Sequence, residues 1–432
     1  MSPPTPIFIG IDFGTSGCRA IAINPAREIV ASAASPIDPP AFDGSGYTQE
    51  PTLWWDALLI TLSDLFLHCD ATQVSAMCVD GTSGTVLVIN GQGELLGPAL
   101  MYHDARAIDE AQQVAQSDPD LGWLGPSASL PKLLYLRAQH PTARYALHQA
   151  DWIAARLTGQ FGIADENNCL KMGYDAAARR WPESAVFNDL RALLPEVRPA
   201  GTLMADISPV IAECIGVAST VSIVCGTTDS TAAAIATQID CPGQAVTCLG
   251  STMTMKVLSE TPIFSVEYGV YSHRIDDLWL VGGASNSGGA VLRHFFSQSA
   301  INQMTERLNP QQPTGLNYYP LVRDGERFPH ADPAWAACTS PRPGDDIRFF
   351  QALLEGMAQI EAEAYRLLET LCGIKVTSIT TSGGGSVNAA WQAIRQQIIG
   401  RPVCRAPISD AAYGAALLAR RCPRDHNSSA CV

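Results

Sequence analysis

One local pattern occurs in each half of the 432-residue chain: an apolar run, a short turn of glycine, threonine and serine, and a second apolar run. Residues 9–23 carry this pattern in the first half, and residues 246–258 carry it in the second. Short apolar runs joined by such turns are typical of two strands that form a hairpin. The two copies share little identity, but their positions predict two related lobes, each beginning with a hairpin.

Strand and helix patterns alternate along the rest of the chain. Helical spacing of apolar residues predicts helices at 52–69, 130–139, 149–157, 231–237, 347–372, 388–399 and 410–420. Short apolar runs predict further strands at 28–34, 74–79, 221–225, 278–281 and 375–381, and the proline- and glycine-rich residues 308–346 predict an irregular connection. This alternation indicates an α/β fold, and the chain is too long for one ordinary core. A polar, proline-containing stretch near 199–208 leads us to place an N-terminal lobe at 1–219 and a C-terminal lobe at 220–432.

The charge pattern excludes several classes of partner. The chain has 28 basic and 42 acidic side chains, which gives a net charge of −14, and its lysines are Lys132, Lys171, Lys256 and Lys375. An acidic chain without a basic cluster argues against nucleic acid or an anionic membrane surface as partner. A hydrophobic share of 47% also excludes a mainly disordered chain. We expect a small-molecule partner, and a monomer or a homodimer.

The spacing of the cysteines and the N-terminal residues indicate in which cellular compartment the protein is expected. The 13 cysteines are scattered without a C-x-x-C pair, so neither a zinc site nor a disulfide framework fits, and we expect reduced thiols. The first residues lack the charged and apolar regions of a secretory signal. No apolar run reaches the roughly 18 residues that a membrane helix needs. We therefore expect a cytoplasmic protein without a membrane segment.

The two hairpin turns are candidate phosphate-binding loops. Glycine lets the backbone approach an anion and point its N–H groups at it. The chain has no G-x-x-x-x-G-K-[ST] motif, and a strand, not a helix, follows Gly14, so neither a P-loop nor a dinucleotide fold fits. A phosphate would instead be held by backbone amides and by the hydroxyls of Thr15 and Ser251. A plain hairpin turn accounts for either loop alone, but two such loops favour a nucleotide held between two lobes.

Two aspartates lie beside these loops and suggest phosphoryl-transfer chemistry. Asp12 closes a buried strand directly before the first loop, where Mg²⁺ next to phosphates would compensate its charge. Hydrogen bonds to the turn backbone are the alternative role for Asp12. Asp229 precedes an alanine-rich helix pattern, where it is either an N-cap or a general base that takes a hydroxyl proton.

A third glycine-rich turn, residues 383–385, leads into a predicted helix that carries Asn388 and Trp391. Positions three apart share a helix face, so an amide and an indole there would hold and stack a purine. A glycine-rich turn with Trp391 buried in the core is the alternative.

In this order, these residues resemble the FGGY carbohydrate kinases. The segments that carry the resemblance are Ile11-Asp12-Phe13-Gly14-Thr15-Ser16, Gly226-Thr227-Thr228-Asp229, Leu249-Gly250-Ser251-Thr252, Pro320-Leu321, Gly325-Glu326-Arg327-Phe328-Pro329, Leu353-Leu354-Glu355-Gly356 and residues 382–388. The resemblance covers nearly the whole chain, which is shorter than most members of the family. It implies two ribonuclease-H-like lobes of the actin and sugar-kinase superfamily, with ATP and Mg²⁺ in a central cleft.

The sugar segments carry a less specific resemblance. Asp80-Gly81-Thr82-Ser83-Gly84 is similar to the D-A-T-C-type segment of ribulose-phosphorylating members, and the Gln-Met-His-Gly-like segment usual in xylulose kinases is absent. Tyr102-His103-Asp104-Ala105-Arg106 resembles the family's W-x-D-x-R segment, with Tyr or His where Trp is usual. A surface ion pair is the alternative role of Asp104 and Arg106.

The resemblance assigns a role to each candidate residue. Asp229 is implied as the catalytic base, and Asp12 and Asp229 as Mg²⁺ ligands, directly or through water. The implied sugar-binding residues are Asp12, Ser83, Asp104, Arg106 and Asp229, and the implied nucleotide-binding residues are Asp12, Gly14, Thr15, Ser16, Gly250, Ser251, Thr252, Gly384, Gly385, Asn388 and Trp391. The expected activity is ATP-dependent phosphorylation of a ketopentose, with D-ribulose to D-ribulose 5-phosphate favoured. A D-xylulose or pentitol kinase and a non-catalytic ATP-binding sensor of the same fold remain alternatives.

Overall fold

The computed structural model describes residues 5–422. The strands are β1 Ile7–Phe13, β2 Gly17–Ile23, β3 Ile29–Pro36, β4 Ala41–Phe42, β5 Tyr47–Gln49, β6 Val74–Gly81, β7 Val86–Ile89, β8 Ala99–Leu100, β9 Tyr145–His148, β10 Ile163–Asp165, β11 Glu196–Arg198, β12 Leu203–Asp206, β13 Ser222–Thr228, β14 Gln244–Leu249, β15 Met253–Ser259, β16 Tyr271–Ile275, β17 Leu278–Ser285, β18 Ser378–Ser382 and β19 Val403–Arg405. The helices are α1 Pro51–Phe66, α2 Ile108–Ser117, α3 Ser129–Gln139, α4 Gln149–Thr158, α5 Glu166–Cys169, α6 Pro209–Ile215, α7 Asp229–Ala236, α8 Gly289–Phe295, α9 Gln298–Thr305, α10 Asp346–Cys372, α11 Ala389–Ile399 and α12 Ala411–Arg421.

Every strand and helix predicted from the sequence is present and starts within three residues of its predicted start. The predicted irregular connection is also confirmed, because no helix or strand of the described chain lies between α9 and α10. No helix within residues 5–422 is both long and apolar enough to cross a membrane. All cysteines in that range are free thiols.

The chain divides into two compact units, and the first of them is discontinuous. It comprises the residues up to Ala236 together with those from Asp410 onward, whereas Thr237–Ser409 form the second unit. The boundary expected at 219/220 differs from this division, because β13 joins the first sheet and α7 follows it directly. The sequence placed Asp229 in the C-terminal lobe, but for the same reason Asp229 belongs to the first unit.

The first unit is built on a six-stranded sheet in the order β12-β13-β6-β1-β2-β3. The hairpin of β1 and β2 is antiparallel, as is the pairing of β2 with β3. On the other side, β1 pairs with β6 and β6 pairs with β13, both in parallel. Strands β4, β5, β7, β8 and β9 form a separate five-stranded sheet in this unit.

The second unit repeats this plan. Its six-stranded sheet has the order β16-β17-β15-β14-β18-β19. The hairpin of β14 and β15 is antiparallel, β15 pairs antiparallel with β17, and β14, β18 and β19 run parallel. The similarity of the two lobes that the sequence predicted is therefore confirmed, because each sheet contains a hairpin, a third antiparallel strand and two strands parallel to the first. The sixth strands, β12 and β16, lie at different edges of this common core.

Two glycines allow α12 to pack into the first unit. A Cβ at Gly10, in the middle of β1, would overlap the backbone of α12 at Ala412 and Ala416. A Cβ at Gly414, within α12, would overlap the backbone of Ala232 in α7. Helix α12 therefore packs so closely against β1 and α7 that only glycine fits at positions 10 and 414.

A buried ion pair joins α10, α11 and β18 in the second unit. The guanidinium of Arg395 donates two hydrogen bonds of 2.6 Å to the Glu361 carboxylate and one of 2.8 Å to Thr381. Thr247 of β14 donates to the same carboxylate and contacts the Tyr365 hydroxyl at 2.7 Å. Glu361 and Arg395 are almost fully buried, so their charges depend on each other.

We expect Arg395→Met to destabilise the protein by about 3 kcal/mol, because it leaves the Glu361 carboxylate buried without its cation. Differential scanning calorimetry measures the loss. The double variant Arg395→Met with Glu361→Gln serves as the control and should recover part of the lost stability, since it removes the unpaired charge. An Arg395→Met transition at the wild-type temperature would contradict this account.

Candidate active site

Acidic side chains converge where three parallel strands of the first unit end. Asp12 of β1 is paired in register with Asp80 of β6, and Asp80 is paired with Thr227 of β13. The chain then turns directly from β13 into α7, whose first residue is Asp229. Since parallel neighbours end at the same edge of a sheet, the strand order alone brings these carboxyl groups together.

Asp12 and Asp80 form a buried carboxyl pair. Asp12 is 5% exposed and Asp80 is fully buried. Burial raises the pKa of Asp12 to about 6, although the neighbouring Asp80 carboxyl group lowers it. Burial, together with the negative charge of Asp12, raises the pKa of Asp80 well above its usual value. Asp80 therefore binds its proton more tightly than an ordinary aspartate does, and both of its carboxyl oxygens are buried without a hydrogen-bond partner among the described residues.

Other charged groups surround this pair. The negative charges of Asp229 and Asp410 raise the pKa of both Asp12 and Asp80, and Arg19 lies 3.3 Å from the Asp12 carboxylate. Asp410 caps α12 by accepting a hydrogen bond of 3.0 Å from the Ala412 amide. Asp229 accepts one of 2.6 Å from the Ser230 amide. The site is an edge crowded with carboxylates, where a bound cation or a proton is favoured.

The first loop follows β1 and is a tight hairpin turn, as predicted. The Gly14 amide donates to the Gly17 carbonyl at 2.9 Å. The Thr15 carbonyl accepts from the amide side chain of Gln49 at 3.3 Å, and Trp54 in turn donates to Gln49 at 2.7 Å. The amides of Thr15 and Ser16 make no hydrogen bond to any described residue. This loop thus presents two adjacent backbone donors and two hydroxyls.

The predicted sugar segment begins with Asp80 at the end of β6. Gln149 holds this segment by accepting hydrogen bonds from the amide and the hydroxyl of Thr82, at 3.0 and 2.8 Å. The Ser83 hydroxyl oxygen is buried and has no hydrogen-bond partner within residues 5–422. A buried hydroxyl without a partner is costly, so a polar ligand would satisfy it.

Two lysines hold the same segment through hydrogen bonds to its carbonyl groups, and this role was not predicted from the sequence. Lys132 is fully buried and donates to the carbonyls of Gly84 and Met101 at 2.5 and 2.8 Å. Lys171 donates to the Ser83 carbonyl at 3.2 Å. Burial, reinforced by the charge of Lys171, lowers the pKa of Lys132 to about 7. Two features of the sequence could have indicated this role: lysine is scarce in the chain, and Lys132 lies within an apolar helix pattern.

Asp104 and Arg106 pair with each other. Arg106 donates from Nε and Nη2 to the Asp104 carboxylate at 2.7 to 3.0 Å and also binds Asp43 at 2.8 Å. The alternative of a surface pair does not fit, since Asp104 is fully buried. Lys132 joins this segment to Ser83–Gly84 through Met101. A direct contact of Asp104 or Arg106 with a sugar stays a prediction.

The second loop, in the second unit, has the same design as the first. The Gly250 amide donates to the Thr252 carbonyl at 3.1 Å, and the amides of Ser251 and Thr252 have no partner among the described residues. Gly250 and Ser251 line a cavity of about 620 Å³ together with Gly384, Gly385, Asn388 and Trp391. Thr252 does not line it. Six of the predicted nucleotide-binding residues therefore share one cavity of this unit.

The structure qualifies the predicted role of Trp391. Its indole is only 3% exposed and donates to the Leu354 carbonyl at 3.2 Å. A Cβ at Gly385 would lie 2.7 Å from the indole ring, so the glycine turn rests directly on it. Asn388 caps α11 through the Trp391 amide at 2.9 Å. The indole thus supports the wall of the cavity and offers little surface for stacking, which favours the core alternative.

Metal ligands are few. No group of three or more His, Cys, Asp or Glu side chains within residues 5–422 is arranged to hold a metal ion. Mg²⁺ commonly takes one or two carboxylates and completes its shell with water and substrate phosphates. Asp12, with Asp229 nearby, fits that mode, and the crowding of negative charge around them favours a cation.

Two sheets that share a five-stranded core, each beginning with a hairpin loop whose amides lack partners among the described residues, define a two-domain α/β fold of the sugar-kinase and actin type. Residues 7–236 match the model of the FGGY family of carbohydrate kinases, N-terminal domain, and residues 245–421 match its C-terminal domain. The chain therefore belongs to the FGGY family of carbohydrate kinases, as the resemblance implied.

Known proteins agree with this assignment. The chain is 25% identical over 437 residues to a xylulose kinase of Escherichia coli (strain K12), which covers 96% of this chain and 90% of the relative. Among solved structures, a xyloylose kinase from Brucella ovis has a TM-score of 0.87 at 21% identity and covers 96% of this chain and 90% of its own. A gluconate kinase from Lactobacillus acidophilus has a TM-score of 0.85 at 18% identity, with 96% and 89% covered. The fold is therefore shared by kinases named for different sugars.

The buried amine of Lys132 predicts a pH-dependent stability. Its pKa is about 7 in the folded chain and 10.5 ordinarily, so between these values the unfolded chain binds the proton and the folded chain does not. The contribution of Lys132 to stability is therefore complete above pH 10.5, is lost as the pH falls towards 7, and changes little below that.

Chemical denaturation of wild type and Lys132→Gln at pH 7 and pH 9.5 measures this effect. The free energy of unfolding of the wild type relative to the variant should be about 1–3 kcal/mol higher at pH 9.5 than at pH 7. Lys375→Gln, at an exposed lysine, is the matched control and should show no such change. The same difference for Lys132→Gln at both pH values would show that the amine stays charged.

Proposed function

We propose that this carbohydrate kinase transfers the γ-phosphoryl group of ATP to a terminal primary hydroxyl of a ketopentose. The observation that carries the proposal is the position of Asp229, at the start of α7 and beside the buried Asp12–Asp80 pair, where three parallel strands end. A carboxylate at that place is a proton acceptor next to a site that attracts cations and phosphates.

Asp229 is the proposed general base. It takes the proton of the sugar hydroxyl as that oxygen attacks the phosphorus atom, and the helix N-terminus favours a negative charge at this position. The free amides and hydroxyls of Thr15 and Ser16 donate to phosphate oxygens. The buried Ser83 hydroxyl, held in place through Lys132, Lys171 and Gln149, hydrogen-bonds to the sugar. Phosphoryl transfer depends mainly on such positioning and on electrostatic stabilisation.

Asp12 and Asp229 are the residues that would hold Mg²⁺, directly or through water. The bound ion would neutralise negative charge that develops on the phosphoryl group. For this purpose Asp12 must be ionised, and its pKa of about 6 leaves it mostly ionised at pH 7.

The second unit is the proposed nucleotide-binding part. Its cavity of about 620 Å³ is large enough for a nucleoside and brings a loop with free amides next to a glycine turn. Gly384, Gly385 and Asn388 are the proposed nucleoside contacts, and the second loop is the proposed phosphate contact.

D-Xylulose is the first candidate substrate, because the curated relatives described above include a xylulose kinase. D-Ribulose, which the sequence favoured, is the second candidate, because Asp80–Gly84 is similar to the D-A-T-C-type segment. The fold alone does not choose between them, since a kinase named for gluconate shares it.

A substrate panel with coupled detection of ADP tests the proposal. We expect ATP- and Mg²⁺-dependent ADP formation with D-xylulose or D-ribulose at a kcat/KM at least 10-fold above that for pentitols, gluconate and glycerol, because the ketose carbonyl offers a further hydrogen-bond acceptor. Mass spectrometry of the product should show one added phosphate. ATP hydrolysis that is independent of sugar, with no sugar phosphate formed, would contradict the proposal and favour an ATP-binding sensor.

Asp229→Asn should lower kcat by roughly 10²–10⁴-fold, because it removes the proton acceptor but keeps the shape of the side chain. The Kd for ADP should stay within about 3-fold of wild type. Steady-state kinetics and calorimetric titration of ADP measure the two effects.

Asp410→Asn is the matched control. Asn caps a helix as well as Asp does, so this variant removes a nearby charge and keeps α12 intact, and we expect less than about a 10-fold change in kcat. If Asp229→Asn weakened ADP binding as strongly as it lowered kcat, Asp229 would be a metal-binding or structural residue and not the base.

A further inference from the structure

One basic side chain lines the cavity of the second unit, and no role for it was predicted from the sequence. Among its described lining residues, Arg293 is the only basic side chain and Glu306 the only acidic one. Arg293 lies on α8, and the chain reaches it shortly after β17. The motif that supplies a phosphate-binding lysine in P-loop proteins is missing from this chain, so a cation here is significant.

Arg293 is attached to the second hairpin loop. Its Nη2 donates to the Ser251 hydroxyl oxygen at 2.7 Å. Arg293 forms no ion pair with a carboxylate in the described part of the chain, and its side chain is exposed. A guanidinium carries five N–H donors, so most of those of Arg293 remain available to a ligand.

The Ser251 hydroxyl is also available. Because its oxygen accepts from Arg293, its own hydrogen is free to be donated elsewhere. The amides of Ser251 and Thr252 are unpartnered within residues 5–422. By comparison, the amides of Gly289 and Ala290 on α8 already donate to the carbonyls of Gly250 and Ser251. The donors that remain therefore cluster at Ser251 and Arg293.

We propose that Arg293 binds a phosphate oxygen of the nucleotide, together with the Ser251 hydroxyl and the free amides of the second loop. This inference rests on the proposed nucleotide-binding function of the second unit. Arginine suits the role because its planar donors match two phosphate oxygens and its charge is permanent. The hydrogen bond to Ser251 holds the guanidinium beside the loop.

Calorimetric titration with ADP and with adenosine tests this role, since the two probes differ only in the phosphates. Arg293→Ala should raise the Kd for ADP about 10- to 100-fold and leave the Kd for adenosine within about 2-fold. Arg293→Lys should lie in between, because it keeps the charge but loses the planar fork. Arg307→Ala, at an exposed arginine of the same unit that does not line the cavity, is the matched control and should bind ADP as the wild type does.

A second comparison separates contact with phosphate from simple support of the loop. In a Ser251→Ala background, Arg293→Ala should still weaken ADP binding about 10-fold or more. If Arg293 acted only by holding Ser251, the second substitution would have no further effect, and the proposal would be overturned. Equal losses for ADP and adenosine would also overturn it. A wild-type protein that binds neither ligand would instead refute the nucleotide-binding function itself.

Discussion

The candidate site depends on the parallel pairing of β1 with β6 and of β6 with β13. That pairing places Asp12 and Asp80 side by side and directs the chain from β13 straight to Asp229. Two carboxyl groups buried together repel each other if both are ionised, so one of them must hold a proton or a cation must be present. The fold therefore creates, before any ligand binds, a place where positive charge is favoured.

Local features of the fold could be read from the sequence. Turn residues and hydrophobic periodicity depend on neighbouring positions only, so the two hairpins and every predicted helix and strand were found close to where they lie. For the same reason, candidate residues that lie next to turns could be singled out from the sequence, such as Asp12, Thr15, Ser251 and Asp229. The internal repeat predicted two related units because the pattern of a hairpin is visible even where identity is low.

Features that depend on long-range contacts could not be read in this way. Asp80 stands in a sequence segment that was assigned to the sugar, and only strand pairing reveals that it faces Asp12. Lys132 looks like part of an amphipathic helix until its two carbonyl partners are known. Trp391 is compatible in sequence with both a stacking role and a core role, and its contact with Gly385 favours the core role.

Helix α12 is synthesised late but packs against β1 and α7, and this packing has a consequence for folding during synthesis on the ribosome. The first unit starts with the earliest residues, but its packing against Gly10 is complete only after Ala411–Arg421 has emerged. All residues of the second unit leave the ribosome before that helix does. The interior of the first unit thus stays open while the second unit is synthesised, and a chain that stopped before Ala411 would lack the helix that packs against β1 and α7.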